Sequence, residues 1–373
     1  MNNILINILS ICVLFFSCVQ KKDNTFAESV DLDSLMSNKR DSSFIQQVQY
    51  LPLETNENSM IARLDVIKKQ GNKIFILDKT LSTVFIFNDK GDFVSKINKK
   101  GRGPGEYLYL KDFFVSNDKI HLLDCTGQFF IYDMNGHFIN EIKLPFQANY
   151  CENLTDSIIV FQEINIEGKL EYSVGLYRID EQRFIDTLKT VAGINDKMEN
   201  FHELLYKSNN KVNYYSATDN MIYQITPKGI TPFISLKNKD FPTLDELKMY
   251  AEYPDKKDYD KIDNLWGIFE NEDYLTFSFF GILPHQVIYS KSDHQYSCYL
   301  KVKYTSQLGS EFVGVDNDCF VSKIIPSNAG GASFLELLQS YKNIQIIGNH
   351  KEQLKKLKTE ANPIVVFSNI SAN

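Results

Sequence analysis

The stretch Lys73-Ile74-Phe75-Ile76-Leu77-Asp78, followed by Val84-Phe85-Ile86-Phe87-Asn88-Asp89-Lys90-Gly91-Asp92-Phe93-Val94, decides the fold. It reads as an apolar strand, an aspartate, a second apolar strand and a glycine turn into a third strand. The same order recurs in Lys119-Ile120-His121-Leu122-Leu123-Asp124 and in Phe129 to Ile139. The two aspartates are 46 residues apart. Such a period is typical of the blades of a β-propeller.

The turn between these two units is Gly101-Arg102-Gly103-Pro104-Gly105-Glu106-Tyr107. Three glycines and a proline cannot continue a strand, so this stretch predicts a loop between blades. Arg102, Glu106 and Tyr107 are the candidate ligand-binding residues, because an arginine fork can hold a carboxylate and a tyrosine ring can stack on an apolar face. The alternative is structural: Arg102 and Glu106 pair with neighbouring blades, and the glycines only permit positive φ. No lysine-serine pair and no helix follow, so a phosphate-binding loop is not indicated.

Composition limits the class of protein. The chain has 373 residues, of which 43% are hydrophobic and 23% charged, a globular balance. Its formal net charge of -7 and the lack of a long Lys/Arg cluster argue against a nucleic-acid partner. Twenty tyrosines and twenty-seven phenylalanines against one tryptophan favour β structure. Radial repeats can keep a chain of this length in one domain.

With these repeats in view, the chain resembles a known family. The run Val48-Gln49-Tyr50-Leu51-Pro52-Leu53-Glu54-Thr55, the two repeat units and the loop at Gly101 to Tyr107 resemble the six-bladed β-propeller lipoproteins of Bacteroidetes, relatives of the NHL and TolB-like propellers. The resemblance is strong over Gln47 to Pro145 and weak beyond. It implies a fold and an envelope location, and it supplies no catalytic residue and no cofactor.

The remaining sequence fits the same architecture. Four further blades are predicted from the strand-like runs Ile158 to Leu188, Val212 to Leu236, Trp266 to Val302, and Phe312 to Ile325 with Ile364 to Phe367. Thr243 to Tyr253 has helical spacing and precedes Pro254, so it predicts a short helical insertion. Phe334 to Leu338 and Lys351 to Glu360 predict C-terminal helices. The predicted fold is an all-β, six-bladed β-propeller with these additions.

The N-terminal region predicts export. Ile4 to Phe16 is apolar and too short to span a membrane, like the core of a signal peptide. Ser17-Cys18 after it resembles a lipobox, so we expect a signal peptide over residues 1–17, lipidation of Cys18, a polar tether over 18–43 and a propeller over 44–373. Met1-Asn2-Asn3 lacks the usual positive charge, and a secretory leader with an incidental cysteine is the alternative. The expected location is the outer membrane, with the periplasmic or the cell-surface face left open.

Few residues predict chemistry. Asp78 and Asp124 follow strands at equivalent positions, so we expect them to hold turns rather than a metal. The six histidines are scattered and none lies in a catalytic motif, and the cysteines form no C-x-x-C pair. We therefore expect no catalytic residue, no metal ligand and no cofactor, and we expect His121 to be a core or rim residue. Cys125, Cys151, Cys298 and Cys319 are expected to be free, although a disulfide among them stays open.

Two functions follow from this pattern. The first is a lipid-anchored, non-catalytic binding or scaffolding module for a peptide, glycan or protein partner of the envelope. The alternative is a metal-dependent propeller hydrolase or lyase, which needs three or more Asp, Glu, His or Asn side chains around one axial point. Propellers also have to close their ring. We therefore expect Ile364 to Phe367 to pair within a blade that contains part of Phe44 to Leu53.

Overall fold

The protein is described by a computed structural model. The described residues are 28–33, 44–191, 204–208, 211–258, 260–262, 265–280, 283–301, 305–309, 311–325, 343–356 and 361–371. They form six mainly antiparallel sheets arranged as the blades of a β-propeller. In each sheet the first strand of the blade lies innermost and touches the first strand of the next blade.

Blades 1 to 3 follow each other along the chain, with four strands each. Blade 1 contains β3 (Val66–Gln70), β4 (Lys73–Asp78), β5 (Thr83–Asn88) and β6 (Phe93–Ile97). Blade 2 contains β7 (Leu110–Ser116), β8 (Lys119–Asp124), β9 (Gln128–Asp133) and β10 (Phe138–Lys143). Blade 3 contains β11 (Tyr150–Asn153), β12 (Ile158–Ile166), β13 (Lys169–Arg178) and β14 (Arg183–Lys189).

Blades 4 and 6 take an extra strand from elsewhere in the chain. Blade 4 contains β15 (Leu205–Ser208), β16 (Lys211–Ser216), β17 (Met221–Thr226), β18 (Gly229–Lys237) and, at its outer edge, β1 (Glu28–Asp31). Blade 5 contains β19 (Leu265–Glu270), β20 (Tyr274–Phe280), β21 (Pro284–Ser290) and β22 (Tyr296–Leu300). Blade 6 contains β23 (Phe312–Asp316), β24 (Cys319–Ile324), β26 (Ile364–Ile370), β2 (Ile45–Pro52) and β25 (Ile344–Ile346).

The hydrophobic core lies between the blades rather than at one centre. Phe75, Leu77 and Ile86 of blade 1 pack against Phe113 and Phe130 of blade 2, and similar layers separate the other neighbouring blades. The middle strands are therefore buried on both faces. This explains why Ile74 to Leu77 is an unbroken apolar run instead of alternating with polar residues.

The ring closes in blade 6, as the sequence predicts. β26 pairs antiparallel with β24 on one side and with β2 on the other, so that Val366 lies between Ser322 and Tyr50. The side chain of Asn362 supports this joint, since its amide donates to the carbonyls of Glu54 at 2.7 Å and Ser59 at 2.8 Å. The predicted pairing of the two terminal segments is confirmed.

The segment predicted as a tether is in part a strand. β1 pairs in parallel with β18, and Leu32 just after it is buried. Glu28 binds His294 of blade 5 through an Oε1 to Nδ1 contact of 2.7 Å and also contacts the hydroxyl of Tyr289. The edge of blade 4 offers unpaired backbone groups and β1 satisfies them, which the polar sequence did not reveal. Cys18 and the predicted signal peptide lie outside the described residues.

In the described residues, helical structure lies in the connections between strands. The predicted insertion contains α1 (Leu244–Glu252), which begins with a capping box: Glu246 N–H donates to Thr243 Oγ1 at 3.3 Å, and the Glu246 carboxylate accepts from Thr243 N–H at 2.7 Å. A second helix, α2, covers Thr305–Leu308. Lys351–Lys356 is a 3₁₀ turn, shorter than the helix predicted there, and the predicted helix at Phe334 to Leu338 lies outside the described residues.

Candidate functional site

A cavity of about 410 Å³ lies on the propeller axis. Each of the six inner strands contributes to its wall, mainly through residues near the end of the strand. The polar and charged side chains of the wall come from Lys68, Lys69, Glu152, Asn153, Lys207, Ser208, Glu270, Asn271, Asp316 and Asn317. Valine, isoleucine, leucine and phenylalanine side chains form most of the rest, with Tyr206 and Gly314. The volume lies in the range of small-molecule sites, roughly 300–1,000 Å³.

Two ion pairs cross between blades at this cavity. Lys69 Nζ of blade 1 lies 2.5 Å from Asp316 Oδ2 of blade 6. Lys68 Nζ, also of blade 1, lies 2.6 Å from Glu152 Oε2 of blade 3 and so passes the inner strand of blade 2. Glu152 is almost fully buried, with 7% of its side chain exposed. A buried carboxylate needs such a partner. The Lys69–Asp316 pair joins two neighbouring blades, and the Lys68–Glu152 pair joins two blades that are not neighbours.

Further polar contacts extend this set around the axis. Lys207 of blade 4 donates to both the backbone oxygen and the side-chain oxygen of Asn153 in blade 3, at 3.1 and 2.9 Å. The amide of Asn153 donates to Ser116 of blade 2 at 3.1 Å. Asn213 of blade 4 donates to Glu270 of blade 5 at 2.5 Å.

Blade 5 is joined to blade 6 in the same way, since Asn271 donates to the Asp318 carbonyl at 2.9 Å. We call these contacts, with the two ion pairs, the axial circuit. All six blades take part in it.

The wall of the cavity on blades 4 and 5 is aromatic. Tyr206 and Phe269 pack edge to face with ring centroids 6.3 Å apart. Burial, together with the nearby Glu270 carboxylate, raises the pKa of Tyr206 well above 10. Its phenol is therefore a neutral donor at physiological pH, and it offers no nucleophile.

The Gly101 to Tyr107 loop lies at the other end of the inner strands. It leads into the start of β7, whereas the β7 residue that lines the cavity is Val115, next to the end of that strand. Arg102 and Glu106 are both exposed, and the Glu106 carboxylate turns back to accept the Gly103 N–H at 2.8 Å. Glu106 thus braces its own loop, in place of the expected pairing with a neighbouring blade. A ligand role for Arg102 and Glu106 stays a prediction.

Tyr107 is a core residue. Only 1% of it is exposed, its hydroxyl donates to the Ile97 carbonyl at 3.0 Å, and its ring packs edge to face on Phe130. Burial raises its pKa to about 12. The aromatic ring that the sequence offered for stacking is thus occupied by the core between blades 1 and 2, which weighs against a part in ligand binding.

The repeated aspartates hold turns, as expected. Asp78 is fully buried, and it accepts hydrogen bonds from the backbone N–H groups of Ala62, Arg63 and Leu81 at 2.7 to 2.9 Å. Asp124 does the same in blade 2 for Thr126 at 2.7 Å and Gln128 at 3.2 Å. Each carboxylate ties the turn between the second and third strands to the chain around it.

His121 and the cysteines also have structural surroundings. The imidazole of His121 stacks on Phe114 at 4.6 Å, and burial lowers its pKa to about 4 with a further contribution from Lys119. It is a packed residue beside the core, as the sequence predicts. Cys125, Cys151, Cys298 and Cys319 are thiols that form no disulfide with one another.

One group among the described residues has the composition of a metal site. Ligand atoms of Glu54, Asp92 and His350 lie within 4.8 Å of one another. They lie where blade 6 meets the β5–β6 turn of blade 1, not on the axis. His350 Nε2 contacts the Asp92 carboxylate at 2.9 Å. Hydrogen bonds that Asp92 accepts from Asn88 and Asn349, together with the His350 imidazole, hold the pKa of Asp92 below its usual value. These contacts join the two blades.

The sequence reasoning missed the residues of the axial circuit. Lys68, Glu152 and Lys207 lie on short inner strands that were not predicted. The available signal was a charged or amide residue just before the turn that opens each repeat, as in Lys68-Lys69-Gln70 and Glu152-Asn153.

Fold and cavity define the class: a six-bladed β-propeller whose short inner strands enclose a polar axial cavity. Within this class the chain belongs to the family DUF4934, a domain of unknown function, whose model matches residues 27–369. No curated protein matches the chain.

One solved structure supports the architecture. A Bacteroides fragilis protein, whose name describes it as exported by inference, is 21% identical to this chain. It superposes with a TM-score of 0.72 over 92% of this chain and 99% of its own. A member of the DUF4221 family from Bacteroides vulgatus is 9% identical, with a TM-score of 0.46 over 88% of this chain and 97% of its own. The similarity to the Bacteroides fragilis structure supports the fold. In the described part of the chain, every helix is too short or too polar to cross a membrane.

Proposed function

We propose that this propeller is a non-catalytic binding module of the cell envelope that takes its ligand in the axial cavity. The observation that carries the proposal is the cavity itself, which is walled by all six blades and held open by the axial circuit. Side chains fixed by packing and by paired charges make a preformed site, and a preformed site loses little entropy on binding. A peptide, glycan or protein of the envelope would supply the ligand.

Binding is favoured over turnover by the state of the charged groups. Each carboxylate that lines the described part of the cavity is engaged by a lysine, so none is free to act as a general base. Tyr206 is held neutral by burial. The alternative, a metal-dependent hydrolase or lyase with an axial site, would gain support from hydrolysis by the purified chain that a chelator abolishes and a divalent cation restores.

Gly314 offers a direct test of the cavity. It lines the wall on β23, and a Cβ there would meet only the Ile67 carbonyl oxygen, at 3.9 Å. Gly314→Phe should therefore fill the cavity without straining the blade. The matched control is Ile139→Phe, on the outer strand of blade 2, where the side chain is 47% exposed.

The readout is the set of small molecules and peptides that co-purify with the full chain from envelopes, identified by native mass spectrometry. We expect a bound species on the wild type and on Ile139→Phe, and none on Gly314→Phe. A species that stays on the Gly314→Phe chain, with an unchanged melting temperature, would show that binding takes place elsewhere.

The proposed envelope location rests on the leader sequence and on the name of one similar protein. A lipidated Cys18 would follow from the apolar stretch Ile4 to Phe16 and Ser17, and the similar Bacteroides fragilis protein is named for inferred export. Cys18→Ala should release the protein from membranes or leave its leader uncleaved. A Cys18→Ala chain that fractionates with outer membranes at the mature mass would refute lipidation.

A further inference from the structure

The charges around the axial cavity do not cancel. Three carboxylates line it, and each is held by a lysine: Lys68 holds Glu152, Lys69 holds Asp316, and Lys291 holds Glu270 at 3.0 Å. Lys291 reaches Glu270 from outside the lining, and Lys207 is the third lysine of the lining itself. No carboxylate of the described residues lies within 4 Å of the Lys207 ammonium group. In a chain with a formal net charge of -7, the cavity thus keeps one cation without a counter-ion.

The position of this cation is fixed. An ammonium group has three donors, and Lys207 uses two of them on the backbone and side-chain oxygens of Asn153. Asn153 is itself held by Ser116, which orients the acceptor. Both acceptors are neutral, so they orient the ammonium group without neutralising it. Among the described residues, the third N–H has no acceptor, although Lys207 itself is exposed to solvent.

The rest of the wall is suited to an apolar body. Val115, Leu205, Phe269 and Val315 face the same cavity as Lys207. A single unneutralised cation matches one negative charge, whereas a phosphate dianion would call for two or more cationic donors. Three amides, those of Asn153, Asn271 and Asn317, complete the lining.

We propose that the axial cavity binds a small amphipathic molecule through one carboxylate, which Lys207 holds while the valine, leucine and phenylalanine side chains cover its apolar part. This proposal rests on the proposed binding function and adds the chemical class of the ligand. A peptide C-terminus and a short-chain carboxylic acid share this chemistry, so the two sources have to be separated by experiment.

The test compares each acid with its neutral amide. N-acetyl-leucine and N-acetyl-leucinamide represent the peptide terminus, and hexanoate and hexanamide represent the free acid. Isothermal titration calorimetry of the full chain should give each acid an affinity roughly tenfold or more above its amide, because the amide can still accept a hydrogen bond from Lys207 but has no negative charge to pair with its ammonium group. The pair with the larger difference identifies the source. Inorganic phosphate should bind more weakly than either acid.

Two lysines of blade 4 give the matched variants. Lys207→Met keeps the apolar stem and removes the charge, so the acid should fall to the affinity of the amide, and Lys207→Arg should retain part of the difference. Lys211→Met removes an exposed lysine outside the cavity and should change nothing.

Equal affinities of acid and amide for the wild type, or an unaltered difference in Lys207→Met, would overturn the carboxylate proposal while leaving a cavity ligand in place. Binding that persists in Gly314→Phe would overturn the cavity as the site, and with it the proposed function. Failure of both acids to bind the wild type would also overturn the carboxylate proposal.

Discussion

The strongest prediction concerns Asp78, the buried aspartate of blade 1. Asp78→Asn keeps the shape of the side chain but replaces one acceptor oxygen by a donor NH₂ group. Asp78 Oδ2 accepts from two backbone N–H groups and Oδ1 from a third, so at least one of these donors must lose its partner in either orientation of the amide. Hydrogen bonds to a charged group contribute roughly 1.5–3 kcal/mol each. Losing one and weakening the others should lower the free energy of unfolding by roughly 3–5 kcal/mol.

This loss is large against a typical total stability of about 5–15 kcal/mol, and it corresponds to a fall in Tm of roughly 4–7 °C for a body of this size. Urea denaturation of the full chain, followed by fluorescence and circular dichroism, measures it. The control is Asp89→Asn, an exposed aspartate in the β5–β6 turn of the same blade, which should cost less than about 0.5 kcal/mol. Equal unfolding free energies for the two variants would refute the view that the repeated aspartate holds the turn.

Three further predictions test other parts of the molecule. Val366→Ala removes two methyl groups from a fully buried residue at the ring closure and should lower the free energy of unfolding by roughly 2–3 kcal/mol in urea denaturation. Val94→Ala, at a position that is 46% exposed, should lower it by less than about 0.5 kcal/mol. Similar losses in the two variants would contradict a closing role for β26. Burial holds the pKa of His121 at about 4 in the folded state, against 6.5 in the unfolded state. The folded state therefore disfavours the protonated imidazole, and the free energy of unfolding should fall by about 2–3 kcal/mol as the pH is lowered from above 6.5 to 4. The difference in stability between wild type and His121→Phe should change by this amount over that window, and a flat difference would count against it. Arg102→Ala should weaken capture of the envelope partner without changing Tm, since Arg102 is exposed. Tyr107 is left unchanged in this variant because its side chain is in the core. Capture at the wild-type level would remove Arg102 from the candidate site.

The sequence was sufficient for the architecture because the middle strands are buried on both faces. Such strands are continuous apolar runs, as in Lys73–Asp78 and Lys119–Asp124, and their repeat revealed the blades. The inner strands of the first four blades were missed. Val66–Gln70 has two apolar residues and then two lysines, and Tyr150–Asn153 is only four residues long. Neither has the periodicity by which a strand is recognised.

The candidate site could not be predicted for a related reason. Its residues come together only when the ring is closed: Lys68 and Glu152 are 84 positions apart in the chain, and Lys69 and Asp316 are 247 apart. Their polar character is visible in the sequence, but the blade order that sets their distances is a property of the closed ring. The exposed loop at Gly101 to Tyr107 attracted the prediction instead, because its unusual composition is local. Much of that composition serves the turn and the core.

The pairing of β2 with β26 also determines when blade 6 can fold during synthesis. Val48 pairs with Ser368, so β2, the first strand of blade 6 to be synthesised, cannot pair until β26, the last strand, has been synthesised. At synthesis rates of about 5–20 residues per second, the wait is roughly 15–65 s. During this time Val48, Tyr50 and Leu51, all buried in the finished ring, lack the neighbour that covers them. An unpaired strand of this kind is exposed to wrong partners, so a chain in transit has to be kept apart from others until its C-terminal strand arrives.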